Sequence, residues 1–439
     1  MELKGLRAAF HTLGCKVNIY ETEVMESLLR EAGMILVPFG EKADVYIVNT
    51  CTVTNIADRK SRQMLHRAGK ENPDAVIVSC GCFSQISGPG KKEETGADLL
   101  IGTDQKGDIV RILSEYLEEK KENVPSDVSV PGVFKKMTLT ALTEHSRADI
   151  KVQDGCNQFC TYCIIPYARG RIRSKRPEDA EEEIRLLSEK GVREFVLTGI
   201  HLSSYGKDLP EKTGLLDLIS RIHALPGVER IRLGSLEPRI VTEEFAKALS
   251  EFPKICPHFH LSLQSGSASV LKRMNRHYTP EEYRKSCELL RKYFDDPAIT
   301  TDVICGFPGE TDAEFSESLK FVREIGFYEL HVFQYSRRKG TVADRMPDQV
   351  PDEVKKKRSE EMLLTGAEMS GEYRARQLGR VREVLTEEKK IIGGKTYYIG
   401  YTKEYVKAAV QESVGGNRVV RGKLEGFLSG DTLFMSLDT

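Results

Sequence analysis

The 439-residue chain contains no tryptophan, and no part of it approaches the roughly 20 consecutive apolar residues that a membrane-spanning helix needs. Its 65 basic and 66 acidic side chains leave a net charge of -1, which excludes a histone-like nucleic-acid binder but permits a local basic patch. The first residues lack the apolar core and cleavage site of a secretory signal. We therefore expect a cytoplasmic protein in which thiols stay reduced.

Ten cysteines are the unusual feature of this otherwise ordinary composition. In a reducing compartment, clustered cysteines indicate metal binding or redox chemistry rather than a disulfide framework. Three of them, Cys256, Cys287 and Cys305, lack neighbours at ligand spacing and are expected in the core. The other seven fall into two groups.

The order of apolar patterns predicts an α/β protein of several domains. Strand and helix patterns alternate through residues 1–120, which predicts a doubly wound parallel sheet. After a polar linker at 121–147, six further strand patterns with helices predict a partial TIM-like (β/α)6 barrel, which ends with a charged helix and covers 148–372. Strand patterns separated by glycine turns predict a small antiparallel β-barrel over 373–439.

One cysteine group is the C-x3-C-x2-C triplet Cys156-Asn-Gln-Phe-Cys160-Thr-Tyr-Cys163, directly after the first predicted strand of the central barrel. Three thiolates on one loop can bind three irons of a cubane cluster and leave the fourth iron open for another ligand. A structural zinc site would need a fourth Cys or His nearby, and none follows. The triplet therefore predicts an iron–sulfur site at the barrel mouth, with zinc or redox-dithiol chemistry as alternatives.

The other group lies in the N-terminal sheet, where the carboxyl ends of neighbouring strands converge on one crevice. Cys15, Cys51 and either Cys80 or Cys82 closely follow predicted strands and can hold a second cluster. The alternative for each of them is packing as a small apolar side chain. Cys80 and Cys82 would face the same side of a regular strand, but Gly81 between them is expected to end the strand, so periodicity does not choose.

The triplet, with the aromatic Tyr162 before its last cysteine, resembles the signature of the radical S-adenosylmethionine (SAM) superfamily. The segment Cys80-Gly-Cys82-Phe-Ser-Gln85 resembles a Gly-Cys-x-x-Gln motif of the methylthiotransferases, whose domain order the whole chain shares. The resemblance implies two 4Fe–4S clusters and a C-terminal RNA-binding TRAM barrel. It implies Cys82 as the third ligand of a sulfur-handling cluster. The implied ligand sets are Cys156, Cys160 and Cys163 for the SAM cluster and Cys15, Cys51 and Cys82 for the second.

In this family, one SAM supplies a radical and another a methyl group, so that an aromatic C–H becomes C–S–CH3. The segments from Cys163 to Gly170 and from Thr12 to Asn18 resemble the branch acting on threonylcarbamoyladenosine beside the tRNA anticodon. The isopentenyladenosine branch usually has Gln-Met-Asn where this chain has Lys16-Val-Asn. Isopentenyladenosine, a ribosomal protein, or a non-catalytic iron–sulfur RNA-binding role are the alternatives. The resemblance also implies an electron donor such as flavodoxin or ferredoxin.

Further candidates lie at strand ends and beside the triplet. The candidates for SAM binding are Tyr162, Thr198, Gly199, Ser235, Glu237 and Gln264. The alternative for these residues is helix capping or structural hydrogen bonding. A run of cations beside the triplet predicts RNA phosphate binding, with a solvated charged loop as the alternative. One of its arginines is also a candidate for binding the threonylcarbamoyl carboxylate. The run is Arg169, Arg171, Arg173, Lys175 and Arg176. Four tyrosines of the last domain are expected either to stack on bases or to pack: Tyr397, Tyr398, Tyr401 and Tyr405.

Overall fold

The computed structural model describes residues 3–87, 95–130, 132–140, 146–211 and 213–437. The predicted linker overlaps two of the gaps, at 131 and 141–145, and this part of the prediction lies outside the described residues. The predicted domain boundaries stay predictions. The fold class is confirmed, with a parallel sheet, a partial barrel and a small C-terminal barrel in that order.

The N-terminal region is a five-stranded parallel sheet with the strand order β2-β1-β3-β4-β5. Its strands are β1 (Arg7–Thr12), β2 (Ile35–Val37), β3 (Val45–Thr50), β4 (Val76–Gly81) and β5 (Leu99–Ile101). Its helices are α1 (Lys16–Glu31), α2 (Asn55–Glu71), α3 (Cys82–Ser87) and α4 (Ile109–Glu119). The chain runs outward from β1 to β2 and then returns to β3 on the other side, so a topological switch point lies at the carboxyl ends of β1 and β3.

The central region is a six-stranded parallel partial barrel in two hydrogen-bonded sheets, β6-β8-β9, which a short antiparallel β7 borders, and β10-β11-β12. Single bridges, Ile231 to Ile255 and Leu236 to Leu261, connect the two sheets. The strands are β6 (Arg147–Asp154), β7 (Arg173–Ser174), β8 (Glu194–Gly199), β9 (Arg230–Leu233), β10 (His258–His260), β11 (Ala298–Cys305) and β12 (Glu329–Gln334).

Helices cover the outside of this barrel. They are α5 (Ile165–Arg169), α6 (Pro177–Glu189), α7 (Leu215–Ala224), α8 (Glu243–Ser250), α9 (Ala268–Arg273), α10 (Pro280–Tyr293), α11 (Asp312–Ile325) and α12 (Asp352–Arg376). Both α10 and α11 begin with a capping box, Thr279 with Glu282 and Thr311 with Glu314, which satisfies otherwise unpaired N–H groups. Short 3-10 helices lie at Lys106–Asp108, Leu202–Ser204, Pro238–Ile240, Ala343–Arg345 and Glu412–Val414.

The N-terminal helix α1 packs against β6 at one edge of the partial barrel. Its Tyr20 and Val24 are part of the hydrophobic core of the barrel. Tyr20 also donates a hydrogen bond of 2.8 Å to Glu183 of α6. The two regions therefore share one core along α1, the helix that begins directly after Cys15.

The C-terminal region is a closed five-stranded barrel with the order β13-β14-β15-β17-β16. Its strands are β13 (Val381–Ile392), β14 (Lys395–Thr402), β15 (Lys407–Gln411), β16 (Val419–Ser429) and β17 (Thr432–Leu437). The predicted turn at Gly393 and Gly394 is confirmed, and both residues have positive φ as a tight hairpin requires. The predicted antiparallel barrel is confirmed, with four antiparallel strand pairs and one parallel pair, β15 with β17, that closes it.

This small barrel docks on the amino-terminal ends of the central strands. Arg230 Nη1 donates to the carbonyl of Tyr401 (2.8 Å), and Arg232 Nη1 donates to the carbonyl of Lys403 (2.9 Å). Both arginines are buried and share the carboxylate of Glu194. The carboxyl ends of the central strands therefore lie at the opposite end from this docking surface. Within the described ranges, no helix combines the length and the apolar composition that crossing a bilayer requires.

Candidate functional site

The C-x3-C-x2-C triplet lies on the loop between β6 and α5. The Cys156 N–H donates to the carbonyl of Gly170 (3.0 Å), and the Cys163 N–H donates to that of Cys160 (2.9 Å). Asn275 Nδ2 donates to two successive carbonyls in the loop, those of Gln158 (3.3 Å) and Phe159 (3.2 Å). Hydrogen bonds within this segment and from Asn275 therefore hold the loop that carries all three thiols.

These thiols fit an iron–sulfur cluster. Burial raises the pKa of Cys156 to about 11 and that of Cys163 to about 12, so a positively charged group is needed to hold them as thiolates. The guanidinium of Arg276 meets part of this need, because its Nη1 lies 3.3 Å from Cys160 Sγ. In a cubane each iron takes one thiolate, so the three sulfurs need not converge on one point.

A cavity of about 140 Å³ opens beside the three thiols at the carboxyl ends of the central strands. Four of the predicted SAM-binding residues line it: Tyr162, Ser235, Glu237 and Gln264. Thr198 and Gly199 end β8 at the same mouth, but the residues after them, Ile200 and His201, form the lining instead. Sequence reasoning missed the cavity residues Gln158, His201, Ser262 and Arg276. Gln158 is a variable position within the triplet motif, and the other three belong to no spaced motif.

Two residues of this cavity have unusual local conditions. Burial lowers the pKa of His201 to about 4, so its ring is neutral and acts as a hydrogen-bonding group, here with the Ser204 hydroxyl at 2.6 Å. Gln264 has φ +70°, a left-handed conformation that costs energy in a residue with a side chain. Backbone hydrogen bonds to Asp302 and from Ile304 hold it in that conformation.

The N-terminal cysteines come together from three loops at the switch point of the sheet. Cys15 precedes α1, Cys51 follows β3, and Cys82 begins α3 after β4. A Cβ atom added to Gly14 would lie 2.9 Å from Cys51 Cβ, so the first two loops touch. Burial raises the pKa of Cys51 to about 11, and Cys82 and Cys15 are close enough to contribute to that rise.

Cys80 differs from Cys82 in its surroundings. Cys80 is fully buried in the hydrophobic core of the sheet, and its Sγ lies 3.6 Å from the Val48 carbonyl. Gly81 separates the two with φ +100°, and a Cβ there would lie 2.6 Å from the Thr50 carbonyl. This turn ends the strand as expected and leaves Cys82 beside the loops of Cys15 and Cys51.

Asn18 connects the loops that carry the first two cysteines. Its Nδ2 donates to the carbonyls of Leu13 (2.7 Å) and Thr50 (3.0 Å), the residues two before Cys15 and one before Cys51. Its own carbonyl accepts from Asn49 Nδ2 (2.9 Å). Because Asn18 is buried, losing these bonds would leave several backbone groups unpaired.

A buried ion network joins this site to the central barrel. Its centre is Glu21 of α1, which contacts Lys106, Lys151 (2.6 Å) and Arg169 (2.9 Å). Burial alone would raise the pKa of Glu21, but these three cations hold it well below its usual range. Arg169 also pairs with Asp154 (3.1 Å), two residues before Cys156. The network therefore bridges the two cysteine groups.

Three members of the predicted RNA-binding run are not surface residues, which corrects their assignment. Arg169 and Arg173 are buried against Asp154. Lys175 is buried and pairs with Glu183. Only Arg171 and Arg176 are exposed. The sequence could not show this, because a buried ion network and a solvated basic loop have the same local composition.

Arg171 lies in an exposed aromatic patch beside the triplet. Its guanidinium is 4.7 Å from the ring centre of Phe159, which meets the ring of Tyr167 edge-on at 5.9 Å. Tyr167 is 48% exposed, so one side of its ring is open to solvent. In the C-terminal barrel, by contrast, Tyr401 and Tyr405 stack on each other at 4.6 Å beneath Arg147.

A second cavity of about 260 Å³ lies between the loop after Cys51 and the edge of the central barrel. Val53 and Thr54 form one wall, and the edge strands supply Ile304, Phe333 and Tyr335 to the other. Tyr162 and Gln264 line this cavity and the one beside the triplet, so the two adjoin. The remaining cysteines, Cys256, Cys287 and Cys305, are buried elsewhere in the barrel.

Two family models match the chain. One, described as the radical SAM superfamily, matches residues 150–322, and the other, described as uncharacterized protein family UPF0004, matches residues 7–102. The first contains the C-x3-C-x2-C triplet and the second contains Cys15, Cys51, Cys80 and Cys82.

The curated relatives cover most of the chain. The threonylcarbamoyladenosine tRNA methylthiotransferase MtaB of Bacillus subtilis is 42% identical over 91% of this chain and 89% of its own length. The protein of the same name from Thermotoga maritima is 40% identical, covering 93% and 91%. A tRNA-2-methylthio-N(6)-dimethylallyladenosine synthase of Caldicellulosiruptor saccharolyticus is 37% identical, covering 87% and 83%.

Among solved structures, the radical SAM methyltransferase TsrM of Kitasatospora setae aligns with a TM-score of 0.56 and 15% identity, covering 77% of each chain. The cobalamin-dependent radical SAM enzyme OxsB gives a TM-score of 0.52 at 15% identity, covering 84% of this chain and 56% of its own. At such identities these similarities concern the fold alone.

Proposed function

This chain belongs to the radical SAM methylthiotransferase family, and we propose that it converts N6-threonylcarbamoyladenosine next to the tRNA anticodon to its 2-methylthio derivative. The observation that carries the proposal is a pair of neighbouring cavities, one lined by the C-x3-C-x2-C triplet and the other by the loop that follows Cys51. The cavity between the Cys51 loop and the edge strands adjoins the cavity of the C-x3-C-x2-C triplet through Tyr162 and Gln264. A nucleobase there would be within reach of chemistry from both sides.

The radical SAM family implies a 4Fe–4S cluster and SAM, and we assign that cluster to Cys156, Cys160 and Cys163. When bound, the cluster supplies the electron that generates a radical from SAM. The proposed role of Tyr162, Ser235, Glu237 and Gln264 is to orient SAM in the adjoining cavity. Thr198 and Gly199 remain predicted SAM contacts from the end of β8.

We assign a second, sulfur-handling cluster to Cys15, Cys51 and Cys82. Three thiols from three loops at a sheet switch point, with cations beside them, have the donor chemistry that iron–sulfur clusters prefer. We leave Cys80 out of the proposed set because its sulfur packs in the hydrophobic core of the sheet. The electron donor is proposed to be a flavodoxin or a ferredoxin, and the cytoplasmic location stays a prediction.

Lys16 is the cation that we assign to the threonylcarbamoyl carboxylate. It begins α1 directly after Cys15 and its side chain is solvent-accessible. Asp149, Glu194 and Arg232, which lie on three central strands, act on it electrostatically, so its ammonium faces the central region. Among the described residues, its ammonium has no hydrogen-bond or ion-pair partner, whereas Arg232 beside it is paired with Glu194. A neutral isopentenyl group would make no use of that charge.

The tRNA backbone and loop bases have a candidate contact in the patch of Phe159, Tyr167 and Arg171 beside the triplet. An exposed ring next to a guanidinium can stack on a splayed base and pair with a phosphate. Arg176, whose guanidinium pairs with Asp179 at 2.9 Å, is a predicted second phosphate contact. This patch replaces the buried cations of the predicted run.

The test is reconstituted protein with SAM, a reductant and tRNA anticodon stem-loops that carry threonylcarbamoyladenosine, its carboxyl methyl ester, or isopentenyladenosine. We expect 2-methylthio product from the acid and none from isopentenyladenosine, and a kcat/KM lower by about 10-fold or more for the ester, because the ion pair with Lys16 is lost. Lys16→Gln should lower activity on the acid and leave the ester unchanged. Product formed only from isopentenyladenosine would contradict the substrate, and an absence of 5′-deoxyadenosine would contradict the enzyme class.

A further inference from the structure

The ion network between the two cysteine groups carries excess positive charge. Its buried cations are Lys106, Lys151, Arg169 and Arg173, and its buried carboxylates are Glu21 and Asp154. Four positive and two negative groups leave a net charge of two. An uncompensated buried charge is costly, so such a cluster needs an anionic partner.

Arg169 has a donor that the protein does not use. Its Nη1 reaches Glu21 (2.9 Å) and Asp154 (3.1 Å), and its Nη2 reaches Asn18 Oδ1 (2.7 Å). Its Nε is buried and has no hydrogen-bond partner among the described residues. A buried guanidinium N–H without a partner costs free energy, and a group bound beside Arg169 could complete it.

The missing partner lies on the side of the N-terminal cysteines. Arg169 interacts electrostatically with Cys82 and Cys51. Lys106 also acts on Cys82 and donates to Asn49 Oδ1 (2.9 Å). The direct contact runs through Asn18, which accepts from Arg169 Nη2 and donates to the loops that carry Cys15 and Cys51.

We propose that Arg169 is a positioning residue for the N-terminal cluster: its free Nε–H and its charge complete that site from the central barrel. The inference rests on the proposed second cluster. Arg169 ends α5, the helix that follows the triplet loop. On this proposal the N-terminal site is complete only when α5 and the triplet loop before it are in place. Loading of the second cluster depends on the folded barrel loop.

The experiment measures iron in a full-length background with Cys156, Cys160 and Cys163 all changed to Ala, so that only the N-terminal cluster can form. We expect about four irons per chain in this background and fewer than one after adding Arg169→Met. Arg169→Lys should restore most of the iron because it restores the charge. Arg176→Met, which removes an exposed and separately paired cation, is the matched control and should bind about four irons.

A second readout separates positioning from folding. Arg169→Met in the otherwise unchanged chain should still cleave SAM to 5′-deoxyadenosine, because the triplet keeps its own contacts. If Arg169→Met keeps four irons with an unchanged reduction midpoint in the triplet-free background, the inference is wrong. If it also abolishes SAM cleavage, Arg169 is a general folding residue and the inference is wrong as well. If the background itself binds no iron, the second cluster of the proposed function fails instead.

Discussion

The two cysteine groups of this protein are built in opposite ways. The triplet at Cys156, Cys160 and Cys163 lies within one loop that its own backbone and Asn275 hold. The N-terminal thiols come from three loops between residues 15 and 82, and neighbours from two regions hold them. A local site has little chain to order, whereas a dispersed site exists only after the sheet has formed.

This difference extends to the charge around the thiols. The triplet has one guanidinium, Arg276, in contact with Cys160. The N-terminal thiols border a buried network in which Glu21 is surrounded by Lys106, Lys151 and Arg169. The local site relies on sequence spacing and one donor, and the dispersed site relies on tertiary electrostatics. Substitutions should therefore affect the two sites unequally.

The largest expected effect is at Cys82. Cys82→Ala should abolish methylthio product, a loss of more than 100-fold, while SAM cleavage to 5′-deoxyadenosine continues at the intact triplet. Cys80→Ala is the matched control two residues away: product formation should persist, and stability should fall by about 1–2 kcal/mol, as expected for removing a buried group. Product and 5′-deoxyadenosine are quantified in the same reaction. The reverse result, with Cys80 essential and Cys82 dispensable, would contradict the proposed ligand set.

Two asparagines allow a direct comparison of the sites. Asn18→Ala removes the bonds that join the Cys15 and Cys51 loops, so we expect loss of most iron from the N-terminal site. Asn275→Ala removes two longer bonds to the triplet loop, and covalent spacing should preserve that cluster with at most a few-fold fall in SAM cleavage. Iron content and 5′-deoxyadenosine formation measure the two effects. Equal iron loss in both variants would contradict the distinction between a local and a dispersed site.

The same distinction explains what the sequence could predict. The C-x3-C-x2-C spacing is a local property, and so are the sequence periods that predict a strand at Arg230–Leu233 and helices at Pro280–Tyr293 and Asp312–Ile325. These are the bounds of β9, α10 and α11 in the structure. The short strands β2 and β5, three residues each, have too few positions to show a period and were not predicted.

Local composition does not show which residues pair with one another in the folded protein. Arg169, Arg173 and Lys175 have the sequence pattern of a basic surface loop. The carboxylates that pair with the two arginines lie on other elements, Glu21 on α1 and Asp154 at the end of β6. For the same reason, Arg276 was not identified, since it approaches Cys160 only through the fold. A family resemblance can transfer a ligand set, but it does not show which charges hold it.

A smaller effect is expected at Arg276. Arg276→Met removes the positive charge next to Cys160 and disfavours the reduced, more negative cluster. The midpoint potential of the triplet cluster should become more negative by tens of millivolts, where a tenfold change in a one-electron equilibrium is about 59 mV. Arg273→Met is the control, because Arg273 pairs with Glu314 instead. A redox titration monitored by electron paramagnetic resonance measures both, and an unchanged midpoint in Arg276→Met would show that this cation does not tune the cluster.

The smallest expected effect is a pH-dependent change in the stability of the fold, at α1, the helix that follows Cys15 of the dispersed site. Burial, with Asp149 and Glu26 nearby, raises the pKa of Glu23 on α1 from 4.5 to about 7. A carboxyl with a raised folded-state pKa contributes stability fully below pH 4.5, and that contribution is lost as pH rises through 7. Glu23→Gln should therefore unfold at a higher temperature than the parent at pH 8, by an amount equivalent to about 1–2 kcal/mol, with much less difference at pH 5. Glu189→Gln, at an exposed ion pair with Arg185, should show no such dependence. A pH-independent difference for Glu23→Gln would mean that this carboxyl stays ionised within the fold.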